Sequence, residues 1–266
     1  MPRIDRHTPG SFCWFELATS DQAAAKQFYT QLFGWDVEDF PIGPTEQYSI
    51  FRRDGRDTGA AYTMREAEHS QGTPPFWMVY IAVDDVEKAA ARVTALGGQV
   101  MAPPFDVMDN GRMAVVTDPA GSHFALWQAK SHAGTGVTGE PGTVNWVEIS
   151  VPDRSKILSF YQDLFGWKIL EGKDGNPATA DSAYPHIMHG TDMIGGLPGP
   201  QERDPNAPAH FMIYFSVDDV AAATAKATSL GANAFVESMD IGENGKISVL
   251  ADPQGAMFAL HEAPAH

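Results

Sequence analysis

With 266 residues, the chain has room for one large domain or two ordinary ones, and 43% hydrophobic residues suffice for a real core. Its 18 basic and 34 acidic residues give a formal charge of −16, which would repel a phosphate backbone and argues against nucleic acid as a partner. No run approaches the roughly 18 consecutive apolar residues of a membrane span, so no membrane partner is expected. The first ten residues are polar and lack the apolar stretch of an export signal. Cys13 is the only cysteine, which rules out an internal disulfide or zinc-finger framework. These features favour a cytoplasmic location.

After an N-terminal tail over 1–10, an aromatic-rich run over 12–18 predicts a strand. Ser20 or Asp21 then caps a helix that carries Ala24, Phe28 and Leu32 on one stripe and stops at Gly34. Short β-prone runs follow near 48–52 and 58–63. A second strand-to-helix passage begins over 76–83. Asp84 or Asp85 caps its helix, which buries Val86, Ala89, Ala90 and Val93 and ends at Gly97. Strands near Gln99, Met113 and Phe124 complete the pattern. Residues 131–142, rich in Gly, Ser and Thr, read as a linker.

Beyond the linker the pattern starts again. Trp14-Phe15-Glu16 recurs as Trp146-Val147-Glu148, and Leu32-Phe33-Gly34-Trp35 as Leu164-Phe165-Gly166-Trp167, both displaced by 132 positions (146 − 14, 164 − 32). Val83-Asp84-Asp85-Val86 recurs as Val217-Asp218-Asp219-Val220, and Asp118-Pro119-Ala120-Gly121 as Asp252-Pro253-Gln254-Gly255, displaced by 134 (217 − 83, 252 − 118). Matched order over this length marks a tandem duplication, with one module over 11–130 and another over 143–263. Each module reads as β-α-β-β-β twice, so the chain holds four such units.

Four motifs carry a family resemblance: the opening strand into Ser20-Asp21, the Phe28-Tyr29…Leu32-Phe33-Gly34 helix end, the Val83-Asp84-Asp85-Val86 joint and Asp118-Pro119-Ala120-Gly121. Each recurs in the second module. In order, and twice, they resemble the vicinal oxygen chelate superfamily of glyoxalase I, bleomycin-resistance proteins and extradiol dioxygenases. The chain also resembles a two-module bacterial subgroup with an opening motif of the Asn-Trp-Phe-Glu type, here Cys13-Trp14-Phe15-Glu16 and Asn145-Trp146-Val147-Glu148. The resemblance implies an α+β fold of tandem glyoxalase-like modules, their βαβββ units forming open-barrel sheets around cavities.

Enzymes of that superfamily usually hold a divalent metal on the cavity floor. Their motifs place the three ligands at Trp14, Met78 and Ala125 in the first module, and at Trp146, Met212 and Ala259 in the second. An indole, a thioether and a methyl group are not ligands for Zn, Ni, Mn or Fe. No metal or other cofactor is therefore expected. Glu148, His210 and His261 are the candidates for a shifted site. The resembling fold would offset the two histidines by four residues on parallel strands, roughly 13 Å at about 3.3 Å per residue. His186 and His189 read as surface or core histidines.

Strand alternation sends Trp14, Glu16, Phe76, Met78, Tyr80, His123 and Trp127 to the cavity side of the first module. The second module sends Trp146, Glu148, His210, Met212, Tyr214, Met257 and His261. Apart from His123 and Met257, these are the candidate ligand-binding residues. Aromatic walls with few polar groups suit a small-molecule pocket, and they equally suit core filler. Trp14, Trp127 and Trp146 are expected to line solvent-reachable cavities. Glu16 and Glu148 are the catalytic candidates, as general bases or as anchors for a ligand amine. In a structural role each would pair with Arg, Lys or backbone amides, and Arg112 and Lys246 are available cations.

The leading function is a metal-independent small-molecule binder or metal-free enzyme. A glyoxalase-type lyase or isomerase acting on 2-oxoaldehyde adducts is the alternative. A structural or interaction module with collapsed cavities is the third reading. The sequence leaves catalysis and oligomeric state open.

Overall fold

In three of the four described α-helices an aspartate turns the chain out of a strand and caps the start, while the fourth follows a 3-10 turn that Asp153 caps. In the computed structural model, which describes residues 3–66, 72–172, 175–199, 201–204 and 206–264, strand β1 (Phe12–Thr19) runs into Asp21. The Asp21 side chain accepts from the Ala24 amide and opens α1 (Gln22–Phe33). Gly34 closes it at φ 70°, a left-handed conformation that costs glycine nothing. The buried stripe includes Ala25, Phe28, Tyr29 and Leu32, with Ala25 taking the inward place expected of Ala24. Asp85 caps α2 (Val86–Ala95) in the same way.

Strands β2 (Asp36–Pro41), β3 (Gln47–Arg53), β4 (Arg56–Thr63), β5 (Phe76–Ala82), β6 (Gln99–Val107), β7 (Gly111–Thr117) and β8 (His123–Ala129) complete the first module. Its eight-stranded sheet has the order β2-β3-β4-β1-β5-β8-β7-β6. β1 and β5 meet antiparallel at the centre, Trp14 opposite Tyr80 and Glu16 opposite Met78. β4 runs parallel to β1, and β8 parallel to β5. The edge strand β2 was the one element of the unit that the sequence did not locate.

The second module repeats this plan with β9 (Val144–Ser150), a 3-10 turn (Arg154–Lys156), α3 (Leu158–Phe165), β10 (Lys168–Leu170), β11 (His186–His189), β12 (Asp192–Gly196) and β13 (His210–Ser216). α4 (Val220–Ser229), β14 (Asn233–Asp240), β15 (Lys246–Ala251) and β16 (Met257–Glu262) follow. The sheet order is β10-β11-β12-β9-β13-β16-β15-β14, the same as in the first module. Among the described residues no helix is long and apolar enough to cross a membrane.

One core joins both modules. Phe15, Leu17, Val79, Ile81, Phe124 and Leu126 lie buried with Val147, Ile149, Ile213, Phe215, Phe258 and Leu260 in a single cluster. Phe33 packs on Phe215 at 4.8 Å and Phe124 on Tyr161 at 6.0 Å between ring centroids. Within this apolar contact lie two reciprocal hydrogen bonds. Tyr29 donates to Asp252 at 3.0 Å, and Tyr161 donates to Asp118 at 2.9 Å. The other oxygen of each aspartate accepts two amides of its own turn, Ala120 and Ser122 for Asp118, Gln254 and Ala256 for Asp252. The Asp-Pro motif is thus a turn and an inter-module lock at once.

The segment 131–142 is pinned to the first module. The Thr135 amide donates to Cys13 O at 2.7 Å and the Gly136 amide to Asp57 O at 2.7 Å, with Thr135 and Val137 buried. Gly134, at φ 121°, lies so close to Cys13 O that a Cβ would stand 2.1 Å from it. Composition suggested slack, but these bonds remove it. The N-terminal segment joins in through Ile4, whose amide donates to Gly136 O.

Candidate functional site

The concave face of each sheet lies opposite the helices. In the first module it holds one row of residues in register across four strands: Ile50, Ala60, Glu16 and Met78. In the second the row is His186, Gly196, Glu148 and Met212. The Trp of each opening strand lies two residues before its Glu, on the same face.

Each glutamate is held by two tyrosines. Tyr48 Oη donates to Glu16 Oε2 at 2.6 Å, and Tyr80 Oη donates to Oε1 at 2.8 Å. The Trp14 indole N–H donates in turn to Tyr48 Oη at 2.9 Å. The second module reproduces the arrangement. Tyr184 and Tyr214 donate to Glu148 at 2.5 and 2.7 Å, and Trp146 donates to Tyr184 Oη at 3.0 Å. Burial and the adjacent carboxylate push all four phenols well above their ordinary range, so they stay protonated and act as donors. Burial also raises Glu148 above the usual carboxylate range, and the two tyrosine hydrogen bonds partly offset the rise.

The structural reading of the glutamates looked to Arg, Lys or backbone amides and did not foresee these tyrosine donors. Arg112 pairs with Asp106 and Glu87, and Lys246 with Glu262. Tyr48 and Tyr184 were not singled out among the cavity residues. The signal that would have found them is a tyrosine near the start of the third strand in both modules.

The expectation of solvent-reachable tryptophans fails in the first module. Trp14 is 4% and Trp127 is 6% exposed. They pack with Cys13, Ala60, Tyr80, Ala82 and Ala125 into a closed floor, where His132 from the pinned segment meets the Trp14 ring edge-on at 4.6 Å. The walls above that floor still present apolar side chains. Phe40, paired with Tyr48, and Phe105, paired with Met113, are 38% and 45% exposed. In the second module Trp146, Glu148 and Tyr184 are half-buried, while Met212 and Tyr214 are buried. Phe76 and Met78 are half-buried on the concave side, and His123 is exposed at the start of β8.

The donor set does not fit a divalent metal. The three ligand positions of the resembling family carry Trp, Met and Ala in both modules. Among the described residues no group of three His, Cys, Asp or Glu could hold an ion. The histidine pair does not rescue the site. Tyr214 stands opposite Ala259, so Ser216 faces His261 and the offset to His210 is six residues (216 − 210), where four were expected. His210 Nδ1 donates to Pro208 O at 2.8 Å. Both ring nitrogens of His261 are engaged, with Asn145 Nδ2 and Asn244 O, each at 2.8 Å.

Comparison with known proteins agrees with this architecture. The sequence model described as the Glyoxalase/Bleomycin resistance protein/Dioxygenase superfamily matches residues 11–126 and 143–260. The chain is similar to the Mycobacterium tuberculosis protein named "Putative glyoxylase CFP32", at 38% identity over 261 residues that cover 98% of this chain and 97% of that one. It is also similar to the anthracycline biosynthesis protein DauV of Streptomyces sp. (strain C5), at 33% identity over 273 residues, covering 97% and 95%. The fold is shared with the 2,3-dioxygenase LapB from Pseudomonas sp. KL28, with TM-score 0.64, 15% identity and coverage of 100% and 94%. The Mn(II)-bound glyoxalase from Novosphingobium aromaticivorans shares it as well, with TM-score 0.62, 15% identity and coverage of 97% and 83%. With two matched segments that together span most of its length, this chain belongs to the glyoxalase/bleomycin resistance protein/dioxygenase superfamily.

Proposed function

We propose that the protein is a metal-independent binder of small planar organic molecules, which it takes on the concave faces of its sheets. The observation that carries this reading is the Trp-Tyr-Glu-Tyr network repeated in both modules. A carboxylate fixed by two phenols within an aromatic surface still has lone pairs to accept from a ligand amine, amide or hydroxyl. The phenols are committed to the glutamate and the indole to one of the phenols, so they orient it and take no part as nucleophiles. The exposed rims at Phe40 and Phe105 favour an occupied face over a collapsed one. Relatives named for a glyoxylase and for anthracycline biosynthesis align along nearly the whole chain, and both names favour a small organic ligand.

Tryptophan fluorescence tests the proposal, with 9-aminoacridine, a planar cation, as titrant. Saturable quenching that is unchanged by excess EDTA is the expected result. Glu16→Gln and Glu148→Gln together should weaken it about tenfold, the cost of losing one charge-assisted hydrogen bond. Quenching that never saturates, or that requires added Mn or Zn, would overturn the reading.

A further inference from the structure

The two concave rows differ in chemistry at one end. Where the first module has Ile50, the second has His186, an equivalence set by the strand pairing Ile50–Ala60–Glu16 against His186–Gly196–Glu148. We propose that His186 makes the second module a binding site for planar ligands bearing a neutral carbonyl oxygen, which accepts from His186 Nε2–H while the ring lies against Trp146. This rests on the concave face being a ligand site.

The argument starts from the imidazole. His186 is half-buried, its ring edge-on to Trp146 at 6.0 Å and to Tyr184 at 5.3 Å between centroids. Its Nδ1 is buried and has no hydrogen-bond partner. A buried N–H without an acceptor is rarer and costlier than a buried lone pair without a donor. The favoured tautomer therefore leaves the lone pair on Nδ1 and puts the proton on Nε2. Protonating the ring would create the very orphaned N–H that this tautomer avoids, so the imidazole stays neutral, and burial works in the same direction. A neutral donor discriminates for a neutral acceptor, a ketone, lactone or quinone oxygen, more than for a carboxylate or phosphate.

Geometry sets the rest of the ligand. Gly196 lies between His186 and Glu148 in the row, and the Tyr184 ring occupies the space above it, where a Cβ would meet that ring at 2.5 Å. Two strand spacings of about 4.8 Å separate the histidine from the glutamate. Because the Tyr184 ring fills the space directly over Gly196, a planar bicycle or larger ring system spans that gap across the outer face of this ring, with its carbonyl at the histidine and any N–H or O–H toward Glu148. His210 is hydrogen-bonded to Pro208, and His261 to Asn145 and Asn244, so they do not duplicate the role.

The test pairs coumarin, a planar bicycle with a ring carbonyl, with naphthalene, of the same shape without it. The full-length protein is labelled with 15N in its histidine rings and followed by NMR, the Trp146 indole signal reporting occupancy. The His186 signals should show the proton on Nε2, and coumarin should shift them saturably. His186→Ile, which copies Ile50 of the first module, should weaken coumarin about tenfold and leave naphthalene within about twofold. Unchanged indole signals of Trp35 and Trp167, both buried in the core, show that the variant is folded. A proton on Nδ1, or equal losses for both probes, overturns the assignment of His186 and leaves the concave face as a binding site. If neither probe moves the Trp146 signal saturably in the unaltered protein, the second module is no binding face and the inference falls with it.

Discussion

Tyr48 and Tyr184 are structural equivalents 136 positions apart (184 − 48), each donating its hydroxyl to the glutamate of its own module. Sequence matching gives displacements of 132 before them and 134 after. Seventeen positions separate Trp167 from Tyr184 and 13 separate Trp35 from Tyr48 (184 − 167, 48 − 35), so four residues are gained there. Two are given back between Gly196 and His210, 14 positions against 16 from Ala60 to Phe76 (210 − 196, 76 − 60). The loops differ while the tyrosine returns to the same carboxylate, which marks that contact as the feature kept through the divergence of the modules.

Replacing Tyr184 with Phe removes one of the two tyrosine donors to Glu148 and the acceptor of the Trp146 indole. Urea unfolding should show a loss of about 1–3 kcal/mol, the usual cost of leaving a buried polar group short of a partner. Tyr48→Phe should act on Glu16 in the same direction. If both variants match the unaltered protein within about 0.5 kcal/mol, the clamps are incidental.

Much of the fold was legible because helix caps and strand alternation are local. Asp21, Asp85 and Gly34 announce the ends of helices from their own chemistry. Trp14, Glu16, Met78 and Tyr80 declare a shared face by parity alone. The partners of the glutamates were half legible: Tyr80 and Tyr214 share their face by parity, but Tyr48 approaches from a strand two places away in the sheet and nothing local ties it to Glu16. His186 was hidden for the same reason: its equivalence to Ile50 depends on the 136-residue displacement, which only pairing reveals. The closed floor under Trp14 depends on His132, in a segment whose composition reads as slack.

Glu148 should make stability depend on pH. Burial holds its carboxyl above the usual carboxylate range in the folded protein, so the folded state keeps its proton where the unfolded chain has released it. The contribution to stability is fully present in acid, below the ordinary glutamate range, and is lost as pH rises through the raised folded value. Glu148→Gln cannot ionise. Relative to that variant, the unaltered protein should therefore fare best in acid and lose ground toward neutrality, as measured by urea midpoints at a series of pH values. A difference that is flat with pH would show that the carboxylate is ordinary in the folded state.

The two reciprocal inter-module bonds give a separate test. Tyr29→Phe leaves Asp252 without its phenol donor, and Tyr161→Phe does the same to Asp118. Each should cost about 1–3 kcal/mol, and the two lie in distinct turns, so their effects should add. Unfolding should remain a single transition, because the apolar contacts of Phe33, Phe215, Phe124 and Tyr161 still join the modules. Two resolved transitions in either single variant would mean that the phenol bonds, and not the apolar contact, couple the modules.

Gly196 provides the sharpest test of how the second module holds its tyrosine. A Cβ at this position would stand 2.5 Å from Tyr184 Cε1 and 2.7 Å from its Oη, closer than real contacts allow. The backbone itself does not require glycine, since the equivalent residue of the first module is Ala60 and Gly196 has no positive φ. Gly196→Ala must therefore displace the Tyr184 ring and stretch its 2.5 Å bond to Glu148. The expected loss is about 1–3 kcal/mol, typical of an overpacked site. With Tyr184→Ala in place the ring is gone, and Gly196→Ala should then cost almost nothing. The resulting coupling energy, about 1 kcal/mol or more in a double-mutant cycle, isolates the contact from any general effect of alanine in β12. Additive losses would place the cost in the strand and remove Tyr184 from its position over Gly196.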